Sequence, residues 1–385
     1  MVLSVHRLHG PSQAPTRASA KSLYEGFCER SAKDYGWEFE PLAYDLWADA
    51  LAHTQLQGYL VTDTSLPNPA GAGPKPVAMM LYTPEAHEAI EINLLFNEST
   101  DAIDLDGHGR EKAVLDAIMR VFLVDLAHIP GWKTVSFPML GHQAKFVRSL
   151  TWYRFRAMGQ AIVEIDFTNP VSTEVIQKQT FVPLPEGYTL ISWDAAQKTL
   201  SPETLHHQTA QCIADSFAKS SDALWDPRFQ TLDGAHSLVN FIIRGQMGEH
   251  WPECTQVLVH QQQLVGFCFV IASGLFHANV PLVGVSPAIK RKGLGSRLLY
   301  TAMMSTVKQV ITGHRVTQSV SATLDTDNLA AIHMYRRLGF IERTYYPHAY
   351  LTRERWATWQ ANQWCNTGLT HQPDPSRPQV VQSGG

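Results

Sequence analysis

Cysteine is scarce in this chain and unpatterned. Its five copies, at positions 28, 212, 254, 268 and 365, are odd in number and show no paired spacing. That argues against a disulfide framework and points to reduced thiols in a cytoplasmic compartment. Long hydrophobic runs are missing too, since none approaches the roughly 18 apolar residues of a membrane span. Nor is there a cationic excess: 31 Lys and Arg face 35 Asp and Glu, for a net charge of −4. No stretch concentrates enough cations to make a nucleic-acid binder. The 17 histidines include no His-Glu-x-x-His, the cysteines no Cys-x-x-Cys, and no carboxylate-rich loop has calcium spacing. No metal is therefore expected. Cys254, Ser286 and Ser296 have no recognisable nucleophile context, so covalent catalysis has no evident carrier.

What is there is an ordinary globular composition, 44% apolar and 17% charged over 385 residues. The chain is too long for one typical domain, and two is the better expectation. Breakers cluster at Asn169-Pro170 and at Pro183, Pro185 and Gly187, marking a linker over 169–187. Residues 1–21 hold His6, Arg7, Arg17 and Lys21 with several serines and no acid; they read as a disordered tail. Residues 366–385, rich in Pro, Gln, Ser and Gly, read likewise. A first domain is then expected over 22–168 and a second over 188–355.

Two segments of the second domain carry chemistry. Val283-Gly284-Val285 ends an apolar strand. It is followed by a turn with three cations, Lys290, Arg291 and Lys292, and two glycines, Gly293 and Gly295. Behind the turn, Leu298, Leu299, Ala302, Met303, Thr306 and Val307 form the apolar stripe of a helix. A helix N-terminus offers unpaired N–H groups and about half a positive charge to an anion. Glycine there removes the Cβ that would hold phosphate oxygens off the backbone, and the cations add long-range attraction. No Gly-Lys-Ser/Thr closes the turn, and Gly-x-Gly-x-x-Gly spacing is absent, so neither a P-loop nor a dinucleotide fold is indicated. The second segment, Asn328 to Phe340, includes Ala331, Tyr335 and Gly339.

Together the two segments closely resemble the acyl-CoA signature of the GNAT N-acyltransferase superfamily. The resemblance implies that Lys290, Arg291, Lys292, Gly293, Leu294, Gly295 and Ser296 hold the coenzyme A pyrophosphate. It implies that Val283, Gly284 and Val285 bond the pantetheine and polarise the thioester, that Asn328 and Ala331 line the pantetheine arm, and that Tyr335 protonates the departing thiolate. The family usually has Gln or Arg where Lys290 stands, and commonly Gly where Arg291 stands, so Arg291 must make the turn without glycine's freedom. Tyrosine suits an acid's role, with a reference pKa of about 10.

The fold this implies is α/β: two tandem GNAT-like domains, each a mixed, mostly antiparallel sheet flanked by helices. The first half repeats the strand–helix–strand–helix order of the second in degraded form. Its counterpart of the cofactor loop, Asn97–Arg110, carries Asp101, Asp104 and Asp106 and would repel a pyrophosphate. The expected activity is transfer of an acyl group, acetyl above all, from acetyl-CoA to a primary amine on a small molecule or protein, by direct attack in a ternary complex. The alternative is a non-catalytic acyl-CoA sensor or scaffold. Glu253, His277, Asp325 and Asp327 are positional candidates for a base, with Asp327 also a candidate helix cap. The acceptor cleft is expected from segments 203–246 and 345–352.

Overall fold

The structure, a computed structural model, describes residues 2–35, 43–66, 68, 73–86, 88–97, 109–181, 183–367 and 379–381. The chain begins with β1 (Leu3–Arg7), α1 (Ala14–Tyr35), α2 (Tyr44–Ala52), β2 (Gln57–Asp63), β3 (Lys75–Ala86) and β4 (Ala89–Asn97). Next come α3 (Arg110–Asp125), β5 (Thr134–Pro138), α4 (Val147–Leu150), β6 (Arg156–Asp166) and α5 (Pro170–Gln177). The middle of the chain forms β7 (Tyr188–Ser192), α6 (Trp193–Ala196), α7 (Pro202–Phe217), α8 (Asp222–Trp225) and α9 (Leu232–Ile243). Five strands follow: β8 (Glu249–His250), β9 (Gln256–His260), β10 (Gln263–Cys268), β11 (Ile271–Ala272) and β12 (His277–Asn279). Then come β13 (Val283–Val285), α10 (Leu294–Ile311), β14 (Ser319–Asp325) and α11 (Leu329–Arg337). The last elements are β15 (Ile341–Thr352), α12 (Arg353–Thr367) and β16 (Gln379–Val381). No helix among the described residues is long and apolar enough to cross a membrane.

Compactness divides the chain into unit 1, Met1–Ala157 with Tyr346–Gly385, and unit 2, Met158–Tyr345. This differs from two consecutive domains at 22–168 and 188–355. In unit 1 the strands run β16-β1-β2-β3-β4-β5. The next strand comes from the far end of the chain, where His348–Thr352 of β15 runs antiparallel to Pro138–Thr134. Strand β6, which follows α4 in sequence, lies from Met158 onward in unit 2. It pairs there with β14 from Ser319↔Asp166 to Asp325↔Gln160. Each unit thus holds a strand contributed by the other half of the sequence. The supposed linker contains α5, whose N-cap Asn169 Oδ1 accepts the Val171 N–H at 3.0 Å, with Ile176 buried.

Residues 2–21 are not a frayed tail. Leu3 and Val5 alternate inward, and β1 pairs with β2 from Leu3↔Asp63 to Arg7↔Tyr59. The cations that gave the segment its unstructured look are tied down. Arg7 donates to both oxygens of Asp125, at 2.9 and 3.1 Å, and the buried Arg17 donates to the carbonyls of Leu8 and Gly10. At the other end Gln379–Val381 pairs with β1, while 368–378 and 382–385 lie outside the described residues, as does the acidic stretch 98–108.

Unit 2 holds two sheets, β6-β14-β12-β11-β8 and β13-β10-β9-β7. The stripe expected on α10 is buried as Leu298, Leu299, Ala302, Met303, Thr306 and Val307. It packs in a cluster with Val163, Ile165, Leu258, Val270 and Val320. The β9–β10 hairpin turns at Gln261 and Gln262, both at positive φ (49° and 66°). That geometry follows the strand twist, here without a glycine.

Candidate active site

The site begins where two parallel strands part. Strand β12 runs beside β14 from His277↔Ser319 to Asn279↔Ser321, and the Val280 N–H still reaches the Ser321 carbonyl at 2.9 Å. Beyond it the chain turns away and β13 pairs with β10 alone, from Cys268↔Val283 to Gly266↔Val285. Leu282 accepts from Phe269, and Ser286 donates to Val265. Antiparallel alternation therefore turns the N–H and C=O groups of Val283 and Val285 to the opposite edge, into the opening. A Cβ on Gly284 would meet the Phe267 ring at 2.9 Å, so glycine at 284 lets the strand lie against that ring.

The turn follows directly. Arg291 sits at φ 64°, so it does take the left-handed conformation without glycine's freedom, at a cost of about 1–2 kcal/mol. Gly293 is at φ 76° with nothing within 4 Å of a would-be Cβ. It forms the N-terminal boundary of α10, where no side chain caps the helix and no acid stands in the first turn. The Leu294, Gly295 and Ser296 N–H groups are the first-turn donors that lack carbonyl partners within an α-helix. Leu294 itself is buried and anchors the turn. Gly295 is not sterically forced, since a Cβ there would make only an ordinary contact with Met334 Sδ at 3.8 Å. Of the three cations, Arg291 and Lys292 are exposed, while the Lys290 ammonium donates to the Ser216 carbonyl at 3.0 Å.

On the other lip of the opening, β14 leads into α11. Asn328 is the N-cap, its Oδ1 accepting the Ala331 N–H at 3.1 Å, so the cap is Asn328 and not Asp327. Ala331 is half-buried on that helix. Tyr335 is only 1% exposed, in the cluster with Leu324 and Phe340, its ring edge-on to Phe340 at 4.9 Å. Burial first, and the Cys268 thiol beside it second, hold the Tyr335 hydroxyl well above its ordinary range, so the proton is retained through neutral pH. Cys212 and Cys254 offer no thiolate, because burial pushes both up to about 12.

The end of α7 and the segment leading into α8 touch both lips, and nothing local in the sequence marks them. Ser216 Oγ donates to the Val285 carbonyl at 2.9 Å, while Ser221 Oγ hydrogen-bonds the Asp325 carboxylate. Next to Ser221 stands Asp222. Burial, and after it the charge of Asp325, push the Asp222 carboxyl up to about 6, with a Ser220 hydrogen bond opposing. The other base candidates are engaged elsewhere: Glu253 accepts from Arg315 at 2.7 Å, and His277 Nδ1 meets Ser319 Oγ at 2.8 Å. Asp327 is exposed. From the expected acceptor-cleft segment 345–352, residues 346–352 belong to unit 1.

A carboxyl with a raised folded-state pKa costs stability once it is ionised. The penalty is absent below the unfolded pKa near 3.9 and grows as pH rises through about 6. Asp222→Asn is expected to raise the melting temperature by a few degrees at pH 8 and hardly at all at pH 4. Melts at both pH values test this, and a shift of equal size at each would remove the burial argument.

Residues 221–340 match the model of the acetyltransferase (GNAT) family. The chain carries a GNAT domain. No curated protein sequence matches the chain, but solved structures share its fold. A GCN5-related N-acetyltransferase from Sphaerobacter thermophilus is 15% identical, with a TM-score of 0.56 over 90% of this chain and 95% of that one. A tandem GNAT protein of the clavulanic acid biosynthesis pathway is 13% identical, with a TM-score of 0.50 over 91% and 98%. Both likenesses are of fold, and both extend across unit 1 as well as the GNAT domain. The family match begins at Ser221 and ends at Phe340, so it contains both lips of the opening.

Proposed function

We propose that this protein is an acyl-CoA-dependent N-acyltransferase that moves acetyl from acetyl-CoA to a primary amine, with its site in unit 2. The observation that carries the reading is the parting of β13 from β14. It turns the Val283 and Val285 backbone toward the opening, beside a helix that starts on Gly293 with no acid and no cap. A thioester carbonyl at the Val283 N–H would be polarised by a donor already fixed in place. The pyrophosphate would lie at the start of α10, with Arg291 and Lys292 beside it. Lys290 would join them on leaving the Ser216 carbonyl.

In the ternary complex the amine nitrogen attacks the thioester carbon, the C–S bond breaks, and the sulfur takes a proton. Tyr335 is the proposed donor, since its hydroxyl stays protonated near pH 7. Asp222 is the proposed acceptor of the amine's proton. With its carboxyl near 6 it is ionised at neutral pH, yet basic enough to take a proton.

Tyr335→Phe is the sharpest test of the chemistry. The phenyl ring keeps the packing against Phe340, so affinity for acetyl-CoA is expected to hold while turnover falls by about 100-fold or more, the range of lost acid–base catalysis. Release of free thiol from acetyl-CoA, followed across a panel of polyamines, aminosugars and peptide amines, supplies the readout. Unchanged turnover would remove Tyr335 from the mechanism. Tight acetyl-CoA binding with no transfer to any amine would favour a sensor instead.

A further inference from the structure

The two units carry the same parallel pairing at different residues. In unit 1 it runs Ala89↔Thr134, Ile90↔Val135 and Glu91↔Ser136; in unit 2 it runs His277↔Ser319, Ala278↔Val320 and Asn279↔Ser321. Four residues past the last pair on the first strand stand Leu95 and Val283. Seven residues past it on the second stand Gln143 and Asn328. These two pairs of positions are therefore counterparts, and their chemistry differs.

Asn328 is exposed and folds back on its own helix to cap Ala331. Gln143 is 3% exposed, and its Oε1 accepts the Leu95 N–H at 2.9 Å. An amide carbonyl thus sits in unit 1 at the N–H whose counterpart in unit 2, Val283, faces the opening. The end of β4 is closed as well. Asn97, 6% exposed, donates to Glu111 Oε1 at 2.9 Å and accepts from Lys145 at 2.6 Å. Lys145 pairs in turn with Glu111 at 3.1 Å. Glu111 lies in the first turn of α3, so a fixed carboxylate serves the helix end that would otherwise attract an anion. The first turn of α10 has no acid.

We infer that unit 1 is an acyl-CoA site occupied by its own side chains. Gln143 takes the place of the thioester carbonyl at Leu95, and Glu111, held by Asn97 and Lys145, takes the place of the pyrophosphate charge. The protein then carries one acyl-CoA, in unit 2; the inference rests on the transferase reading of that unit.

Equilibrium dialysis of the full chain against labelled acetyl-CoA tests it. One equivalent is expected for the unaltered protein and none for Gly293→Asp. Two equivalents for the unaltered protein would overturn the self-occupied site, and one retained in Gly293→Asp would move the cofactor away from 290–296. Complete absence of binding to the unaltered protein would overturn the transferase reading on which the inference rests. On the Gly293→Asp background, Gln143→Gly with Glu111→Gly is expected to regain up to one equivalent, provided a cooperative melt shows that it folds. A folded variant that takes up none would show that these two side chains are not the block.

Discussion

A chain cut between residues 168 and 187 is expected to yield two fragments that do not fold. The cut looks safe in the sequence, since breakers cluster there. It nevertheless separates each unit from a strand and part of its core. The C-terminal fragment loses β6, which leaves seven paired positions of β14, Ser319 to Asp325, as an open edge. Val163 and Ile165, both buried in the unit 2 core, go with it, at about 1.5–3 kcal/mol each. The N-terminal fragment loses Leu351, Trp356 and Trp359, all members of the unit 1 core. Burial of one leucine and two tryptophans is worth on the order of 10 kcal/mol, against about 5–15 kcal/mol for a whole domain. Unpaired apolar edges also favour aggregation. Circular dichroism and gel filtration of the separate fragments, and of the two expressed together, read the outcome. Recovery of a cooperative melt only on co-expression is expected; a cooperative melt from either fragment alone would refute the exchange as a source of stability.

Gly293→Asp is expected to lower affinity for acetyl-CoA by about 100-fold or more, which is about 2.7 kcal/mol, while leaving the fold intact. The two halves of that expectation have separate causes. A Cβ at 293 meets nothing within 4 Å, and φ is 76°, a left-handed conformation in which aspartate is among the better-tolerated side chains. A carboxylate at the start of α10 also suits the helix dipole, so the melting temperature should stay within a few degrees. The same carboxylate occupies the proposed pyrophosphate position and repels what should bind there. Calorimetric titration beside a thermal melt separates the two effects. Undiminished affinity in a folded variant would move the cofactor away from 290–296.

The parts of the protein legible in its sequence are those whose signals are local. The apolar stripe of α10 reads from helical period, and the turn before it reads from glycine and charge, because both depend on neighbours within a few residues. Arg291 is placed by the same logic: the turn needs a left-handed residue there, whatever the side chain.

What the sequence misreads is non-local. Residues 1–21 have the composition of a loose tail, yet Arg7 finds Asp125 and Arg17 finds the carbonyls of Leu8 and Gly10, and composition carries no record of partners. Ser216 and Ser221 reach Val285 and Asp325 only because the end of α7 and the start of α8 are brought to the lips of the opening. Gln143 looks like any glutamine until Leu95, 48 residues before it, offers its N–H. The exchange of β6 and β15 is of the same kind, since a strand's pattern shows that it will pair and not with which half of the chain. The sequence by itself indicated the domain family and the glycine-containing turn ahead of α10, and offered Tyr335 as a candidate acid. Tertiary structure alone decided which strands complete each unit and which of the two openings its own side chains fill, because hydrogen-bond partners far apart in the chain are chosen by the packed fold.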